Sequence, residues 1–189
     1  MKTRVTVGVD VLLKKPSAIL GSSKVGLITN PTGVTSELVS TIDAFHHHPE
    51  IDLVALYGPE HGARGDLQDG VSEKCYRDPA THLPVYSLHG EEKKPSADML
   101  ESVEALVFDI QDVGVRFYTY ISTLKYALEA AAEEGIPLIV LDRPNPIKGD
   151  SIEGNIPDPG FTSFVCSYPI PIRYGMTIGC LLYTSPSPR

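Results

Sequence analysis

The sequence predicts an α/β fold, a Rossmann-like parallel sheet flanked by helices. Short apolar runs alternate with helical patterns along the chain, which is typical of a parallel sheet. Each run also stops at a cluster of polar residues, and open α/β sheets place their ligand crevice at the carboxyl ends of the strands. The predicted main strands are residues 25–29, 53–57, 105–110 and 137–141.

The first strand is short, branched and apolar, and turn residues bound it at 21–23 and at 30–33. A helix is predicted from Ser36 to about His47, with Thr35 or Ser36 as its N-cap and Pro49 closing it. Its apolar positions recur every three or four residues; they are Leu38, Val39, Ile42 and Phe45.

After the second strand, residues 58–62 predict a tight turn, and a polar segment rich in Gly and Asp continues to about Thr81. A loop of that length inside a domain is usually functional. A short strand over 83–88 and a helix over 96–103, capped by Ser96, lead to the third strand. A helix over 119–134, ending at Gly135, leads to the fourth.

Beyond Pro144 repeated prolines predict an irregular arm, with a domain edge near 149–160. We expect an α/β domain over residues 1–148 and a linker with the start of a truncated second domain over 149–179. Residues 175–179 should open a helix, yet Pro186 and Pro188 fall where that helix would run. We therefore expect residues 180–189 to be a non-native tail.

The composition excludes several classes of partner and site. The 189 residues carry a net charge of −8 and no basic stripe, which makes a nucleic-acid partner improbable. Three cysteines at long spacings suit neither a disulfide framework nor a zinc knuckle. No apolar run reaches the roughly 18 residues needed for a membrane span. No export signal is visible, and the compartment stays open.

The turn after the second strand carries the sharpest chemical element, Glu60 and His61 between Gly58 and Gly62. A carboxylate and an imidazole on a rigid turn suit general acid/base work. The alternative is that Glu60 caps backbone amides while His61 packs against it. Its position after a predicted strand favours a functional site.

A second polar cluster follows the third strand and comprises Asp109, Gln111, Asp112, Arg116 and Tyr118. Such a set can orient a polyhydroxylated ligand by hydrogen bonds while aromatic rings pack its apolar face. A structural salt bridge from Asp109 and Asp112 to Arg116 explains the same residues equally well.

A third cluster, Asp142, Arg143 and Asn145, follows the fourth strand. Here the alternative to ligand binding is an Asp–Arg clamp that holds the loop.

Other features are assigned no function. The histidines at 46–48 point in different directions around a helix end, so we predict no metal site there or elsewhere. Arg64-Gly65-Asp66 is interpreted as a turn. The first strand is followed by Asn30-Pro31-Thr32-Gly33 and not by a glycine-rich phosphate loop, so we expect no nucleotide or other cofactor.

Five motifs in order give the chain a specific family resemblance. The motifs lie at residues 26–33, 56–62, 108–114, 116–120 and 141–146. Together they resemble the DUF1343 family, the NamZ-type exo-β-N-acetylmuramidases among the glycoside hydrolases. The resemblance covers roughly Val9 to Gly179. It implies release of N-acetylmuramic acid from the non-reducing ends of peptidoglycan fragments, in bacterial cell-wall turnover and recycling.

Matching the family motifs residue by residue implies a catalytic group of Glu60, as acid/base, with His61 and Asp109. The implied substrate-binding residues are Asn30, Gln111, Asp112, Arg116, Tyr118, Asp142, Arg143 and Asn145. Either Arg116 or Arg143 could pair with the lactyl carboxylate of the sugar, for which a planar fork is suited.

The resemblance also implies a cleft between an N-terminal and a C-terminal domain. Family members continue well past Gly179, so we expect this chain to be an incomplete fragment that lacks the domain completing the cleft. Two other readings stay open: a carbohydrate-binding module without turnover, and a nucleotide-dependent Rossmann enzyme, which the missing glycine-rich loop disfavours.

Overall fold

The computed structural model describes residues 5–65 and 75–184. The strands are β1 (Lys24–Thr29), β2 (Asp52–Gly58), β3 (Cys75–Arg77), β4 (Pro84–Ser87), β5 (Ala105–Asp109) and β6 (Leu138–Val140). The helices are α1 (Gly8–Leu13), α2 (Pro16–Leu20), α3 (Thr41–His46), α4 (Ala97–Leu100), α5 (Tyr120–Glu134) and α6 (Ile178–Thr184).

These strands form one sheet in the order β3-β4-β2-β1-β5-β6. Every pairing is parallel except that of β3 with β4. The predicted α/β fold is confirmed, and the carboxyl ends of all four predicted main strands lie on one edge. The chain moves outward from β1 through β2 to β4, then continues on the other side with β5 and β6. Neighbouring strands β1 and β5 therefore form the switch point, where such sheets bind ligands.

The core lies on both faces of the sheet, as the alternation along β5 illustrates. Leu106 and Phe108 pack on the face covered by α5, while Val107 packs on the face covered by α1 and α3. Helix α5 matches the predicted 119–134 closely. It is capped by Gly135, which adopts a left-handed φ of 69°, a conformation that is easy for glycine because it has no Cβ.

The predicted helix over 36–47 is wrong in its first half, because α3 begins only at Thr41. The Thr35 hydroxyl accepts hydrogen bonds from the backbone amides of Glu37 (3.3 Å) and Val39 (3.2 Å). This local bonding competes with helix formation and makes a turn. Leu38 has a φ of 61° and is 82% exposed, so it takes no part in the core.

Other elements differ in extent from the prediction. The polar segment after β2 contains β3, a strand that was not predicted and that pairs with β4. Residues 66–74 of this segment lie outside the described part of the chain. The helix predicted over 96–103 shortens to α4, although Ser96 caps it as expected by accepting from the Met99 amide (3.4 Å). Helices α1 and α2 had no predicted counterpart.

The arm after β6 returns to the sheet. Tyr174, Ile178 and Leu181 are buried in the core on the α5 face. Helix α6 continues past residue 179 to Thr184, while residues 185–189, with both terminal prolines, lie outside the described residues. The domain edge and the non-native tail therefore stay predictions. Within the ranges 5–65 and 75–184, no helix has the length and apolar character needed to cross a membrane.

Candidate active site

At the switch point, the loop after β1 is bonded to the end of β5. The Thr29 hydroxyl donates to the carbonyl of Asp109 (2.8 Å), and the Gln111 amide donates to the Thr32 hydroxyl (2.9 Å). Asn30 shapes this loop, since its Oδ1 accepts from the Thr32 amide (3.0 Å) and hydroxyl (2.5 Å). The predicted site residue Asn30 is buried, and its Oδ1 supports the loop.

The loop after β2 carries Glu60 and His61 and lies against the loop after β1. A Cβ on Gly65 would approach Pro31 Cγ to 2.6 Å, so the two loops are in close contact. The Gly62 amide donates to the Pro59 carbonyl (2.9 Å), and His61 has a left-handed φ of 72°. Such a conformation is costly for a residue with a side chain and often occurs at functional sites.

Glu60 is half-buried on this turn, and within the described ranges its carboxylate has no hydrogen bond or ion pair. The alternative in which Glu60 caps backbone amides is thus not what the structure shows. A carboxyl group without a structural partner, on a turn at the strand ends, is available for proton transfer to a ligand.

Asp109 is fully buried and bound on both oxygens. Arg143 donates to it from Nε (2.7 Å) and Nη2 (2.9 Å), and the Thr41 hydroxyl adds a third bond (2.5 Å). Arg143, also buried, donates further to the Val34 carbonyl (2.7 Å). The partner of Asp109 is therefore Arg143 and not Arg116. These contacts favour a supporting role for Asp109 over the predicted catalytic one, because three hydrogen bonds already hold its carboxylate.

Asp112 forms a second buried acidic site. Its Oδ2 accepts from the Gly114 amide (2.8 Å) and from the Tyr174 hydroxyl, while its Oδ1 is buried without a partner among the described residues. Burial raises the pKa of Asp112, although the bonds from Tyr174 and Gly114 oppose this rise. Burial and the nearby Asp112 carboxyl likewise raise the pKa of Tyr174. Asp112 is therefore paired with Tyr174 rather than Arg116.

Arg116 binds the arm. Its Nη1 donates to the carbonyls of Asn155 (2.7 Å) and Ile170 (2.6 Å), and its Nε is buried and unpaired within the described structure. Arg143 gives its Nε and Nη2 to Asp109 and Val34, while its Nη1 has no hydrogen-bond partner among the described residues. That either guanidinium receives a lactyl carboxylate stays a prediction, since each keeps one terminal nitrogen outside these hydrogen bonds.

Asp142 and Asn145 also hold the arm. Asp142 accepts from the Thr177 hydroxyl (2.6 Å) and the Gly179 amide (3.0 Å), so it fixes the start of α6. Asn145 donates to the Met176 carbonyl (2.9 Å). Asp142 and Arg143 therefore do not form an Asp–Arg clamp with each other, because the acid binds the start of α6 and the arginine binds Asp109 of β5.

Gln111 donates to the carbonyls of Asp112 (2.6 Å) and Pro144 (2.9 Å), which ties two loops together. Tyr118 is half-buried and packs edge-on against Tyr120, with ring centroids 4.7 Å apart. Burial, reinforced by the neighbouring Tyr120, raises the pKa of Tyr118.

Sequence reasoning missed three residues at this edge: Thr32, Tyr174 and Arg64. Thr32 lies within a motif that had been noted, so its hydroxyl was a usable signal. Tyr174 lies 62 residues from Asp112, and no local pattern links them. Arg64 was interpreted as part of a turn, yet it pairs with two carboxylates. In the part of the chain that the structure describes, no group of three or more His, Cys, Asp or Glu could hold a metal ion.

The fold and this edge define a Rossmann-like α/β domain with a candidate acid group at the strand ends. The chain belongs to the family described as Exo-beta-N-acetylmuramidase NamZ, N-terminal, whose model matches residues 25–185. It is 54% identical over 178 residues to the Peptidoglycan beta-N-acetylmuramidase NamZ of Bacillus subtilis (strain 168), an alignment that covers 94% of this chain and 43% of that protein.

Two solved structures of DUF1343 family proteins from Bacteroides fragilis NCTC 9343 share the fold. The first is 50% identical with a TM-score of 0.88, over 97% of this chain and 46% of that one. The second is 34% identical with a TM-score of 0.81, over 96% of this chain and 46% of that one. The chain thus spans slightly less than half the length of the relatives it matches.

Proposed function

We propose that this chain is the N-terminal part of an exo-acting glycoside hydrolase that releases N-acetylmuramic acid from the non-reducing ends of peptidoglycan fragments. In this proposal Glu60 is the acid that protonates the leaving glycosidic oxygen as its bond to the anomeric carbon breaks. Water supplies the new hydroxyl at that carbon and gives its proton to a carboxylate base. Family membership and the activity named for the Bacillus subtilis relative support the substrate class.

The single observation that carries the proposal is the contrast between Glu60 and the other carboxyl groups at the edge. Asp109 is held by Arg143 and Thr41, Asp112 by Tyr174 and Gly114, and Asp142 by the start of α6. Glu60 alone among these four carboxyl groups of the described site has no bonded partner. A general acid must reach a substrate atom, so the unengaged carboxyl is the best candidate.

The remaining predicted residues take supporting roles in this proposal. Asn30 and Gln111 shape the loops beside Glu60, while Asp109 and Arg143 join the ends of β5 and β6 beneath them. His61 and Tyr118 are the side chains that we propose for direct substrate contact. In this proposal the cleft is completed by residues of the kind that the longer relatives have beyond the part matched by this chain.

The test is a hydrolysis assay on two aryl glycosides that differ only in the lactyl ether, a β-N-acetylmuramide and a β-N-acetylglucosaminide. Both are given to the 189-residue chain and to a form that continues with the C-terminal portion of the Bacillus subtilis relative. Release from the muramide, with little from the glucosaminide, supports the proposal. Activity only in the extended form adds that the second part supplies essential groups.

No release by a folded extended form would contradict the glycosidase. If that form still binds a muropeptide, measured by calorimetry, the alternative of a carbohydrate-binding module without turnover replaces it.

A further inference from the structure

Arg64 follows Glu60 by four residues and bridges two carboxylates from different parts of the fold. Its Nη2 donates to Asp43 Oδ1 (2.7 Å) and to Asp78 Oδ2 (3.0 Å), and its Nε donates to Asp78 Oδ1. Asp43 belongs to α3, and Asp78 directly follows β3. One guanidinium thus joins the exit of the Glu60 loop to a helix and to the β3–β4 hairpin.

The Asp78 end of this bridge is built into the interior. Asp78 is 1% exposed, and its Oδ2 also accepts from the amide and the hydroxyl of Thr81, each at 2.8 Å. Burial by itself would raise the pKa of Asp78, but the bonds from Arg64 and Thr81 outweigh it and lower the pKa to about 2. The same carboxylates raise the pKa of Arg64. The Asp43 end is more open, with 36% of its side chain exposed.

The backbone between Gly58 and Arg64 has little freedom at either end. The Gly58 carbonyl accepts from the Leu88 amide (2.8 Å), and a Cβ on Gly58 would approach the Ala63 nitrogen to 2.5 Å. Ala63 is buried in the core. Glu60 itself has no bonded partner in the described structure, so the placement of its carboxyl depends on this backbone.

We propose that Arg64 is a positioning residue, whose double ion pair to Asp43 and Asp78 fixes the loop that presents Glu60 to the substrate. This inference rests on the proposed function, since it concerns the same acid. A planar fork can serve two carboxylates at once, whereas a lysine ammonium is a point charge that replaces only one of the pairs well.

The experiment compares Arg64→Lys, Asp43→Asn and a control, Lys94→Met, in the extended form of the protein. Lys94 makes an exposed ion pair with Glu133 at the far end of α5, so the control also removes a cation from an ion pair. The readouts are kcat and KM for the β-N-acetylmuramide, and hydrogen–deuterium exchange of the peptide covering residues 58–65.

We expect Arg64→Lys to lower kcat by roughly 10- to 100-fold with KM nearly unchanged, because a displacement of about 1 Å at a catalytic group has effects of this size. Asp43→Asn, which keeps the buried pair, should give a smaller fall, and Lys94→Met none. The increase in hydrogen–deuterium exchange over residues 58–65 should be largest in Arg64→Lys, smaller in Asp43→Asn and absent in Lys94→Met.

Unchanged kcat in Arg64→Lys, or a fall in Lys94→Met of the same size, would overturn the positioning role. If the unmodified protein releases no muramic acid, the proposed function fails. The role of Arg64 is then tested separately by hydrogen–deuterium exchange. In that case faster exchange over 58–65 supports the clamp on the loop, and unchanged exchange overturns it.

Discussion

Replacing Asp109 by Asn should destabilise the protein strongly, because it removes the charge that balances a buried arginine. Both partners lie in the interior, with 0% of the Asp109 side chain and 6% of the Arg143 side chain exposed. Removing one partner of a buried ion pair costs about 3–5 kcal/mol. The bonds give a similar scale, since the amide nitrogen cannot accept the one or two contacts made by the oxygen that it replaces, and each bond to a charged group contributes about 1.5–3 kcal/mol.

The assay is urea unfolding at pH 7, followed by circular dichroism, with thermal unfolding as a second measure. For a chain of this size the loss corresponds to a fall in Tm of about 6–20 °C. Glu129→Gln is the control, since it breaks only a surface pair with Lys125 at 3.9 Å and should cost less than about 0.5 kcal/mol. Adding Arg143→Met to Asp109→Asn should recover part of the loss, because no buried charge then remains. A loss below about 1 kcal/mol in Asp109→Asn would refute the view that this pair holds the strand ends together.

Three further outcomes follow from the structure, each measurable by urea unfolding. Gly114→Ala should cost about 2–4 kcal/mol of unfolding free energy, since the new Cβ would lie 2.3 Å from Asn145 Nδ2 and the backbone φ is 76°. Gly135→Ala should cost only about 1 kcal/mol, because φ is similar at 69° but no atom lies within 4 Å of the new Cβ. Equal costs would contradict the packing argument. The lowered pKa of Asp78, about 2, adds stability that is present above pH 4 and is lost as the pH falls toward 2, so Asp78→Asn should flatten the pH dependence in that window; an unchanged slope would contradict it. The raised pKa of Asp112 means that the wild type loses stability as the pH rises through it, so Asp112→Asn should cost less at pH 8 than at pH 4, and the opposite order would count against the buried acid.

The sequence was sufficient to predict the parts of the fold that local pattern governs. Four apolar runs and their polar ends located β1, β2, β5 and β6 and the functional edge of the sheet. Helix α5 was predicted nearly to the residue, because fifteen residues of amphipathic pattern and a terminal glycine agree. The helix predicted over residues 36–40 was wrong for a local reason as well, since hydrogen bonds to the Thr35 hydroxyl hold the backbone there in a turn.

The pairing of the polar side chains could not be predicted, because it depends on tertiary distance. Asp109 reaches Arg143 across 34 residues, and Asp112 reaches Tyr174 across 62. Pattern alone therefore placed these residue types at one edge of the sheet, but it could not predict that several of them also hold the loops. Glu60, on the tight turn itself, is the acid whose availability the structure supports.

The most direct test of this account is the activity of Glu60→Gln in the extended protein. Glu50→Gln is its matched control. Glu50 is exposed and precedes β2, so it lies at the opposite edge of the sheet from Glu60, which follows the same strand. We predict that Glu60→Gln abolishes release of N-acetylmuramic acid while the unfolding free energy changes by less than about 0.5 kcal/mol, and that Glu50→Gln leaves both unchanged. Retained turnover in folded Glu60→Gln would contradict the assignment of Glu60 as the acid.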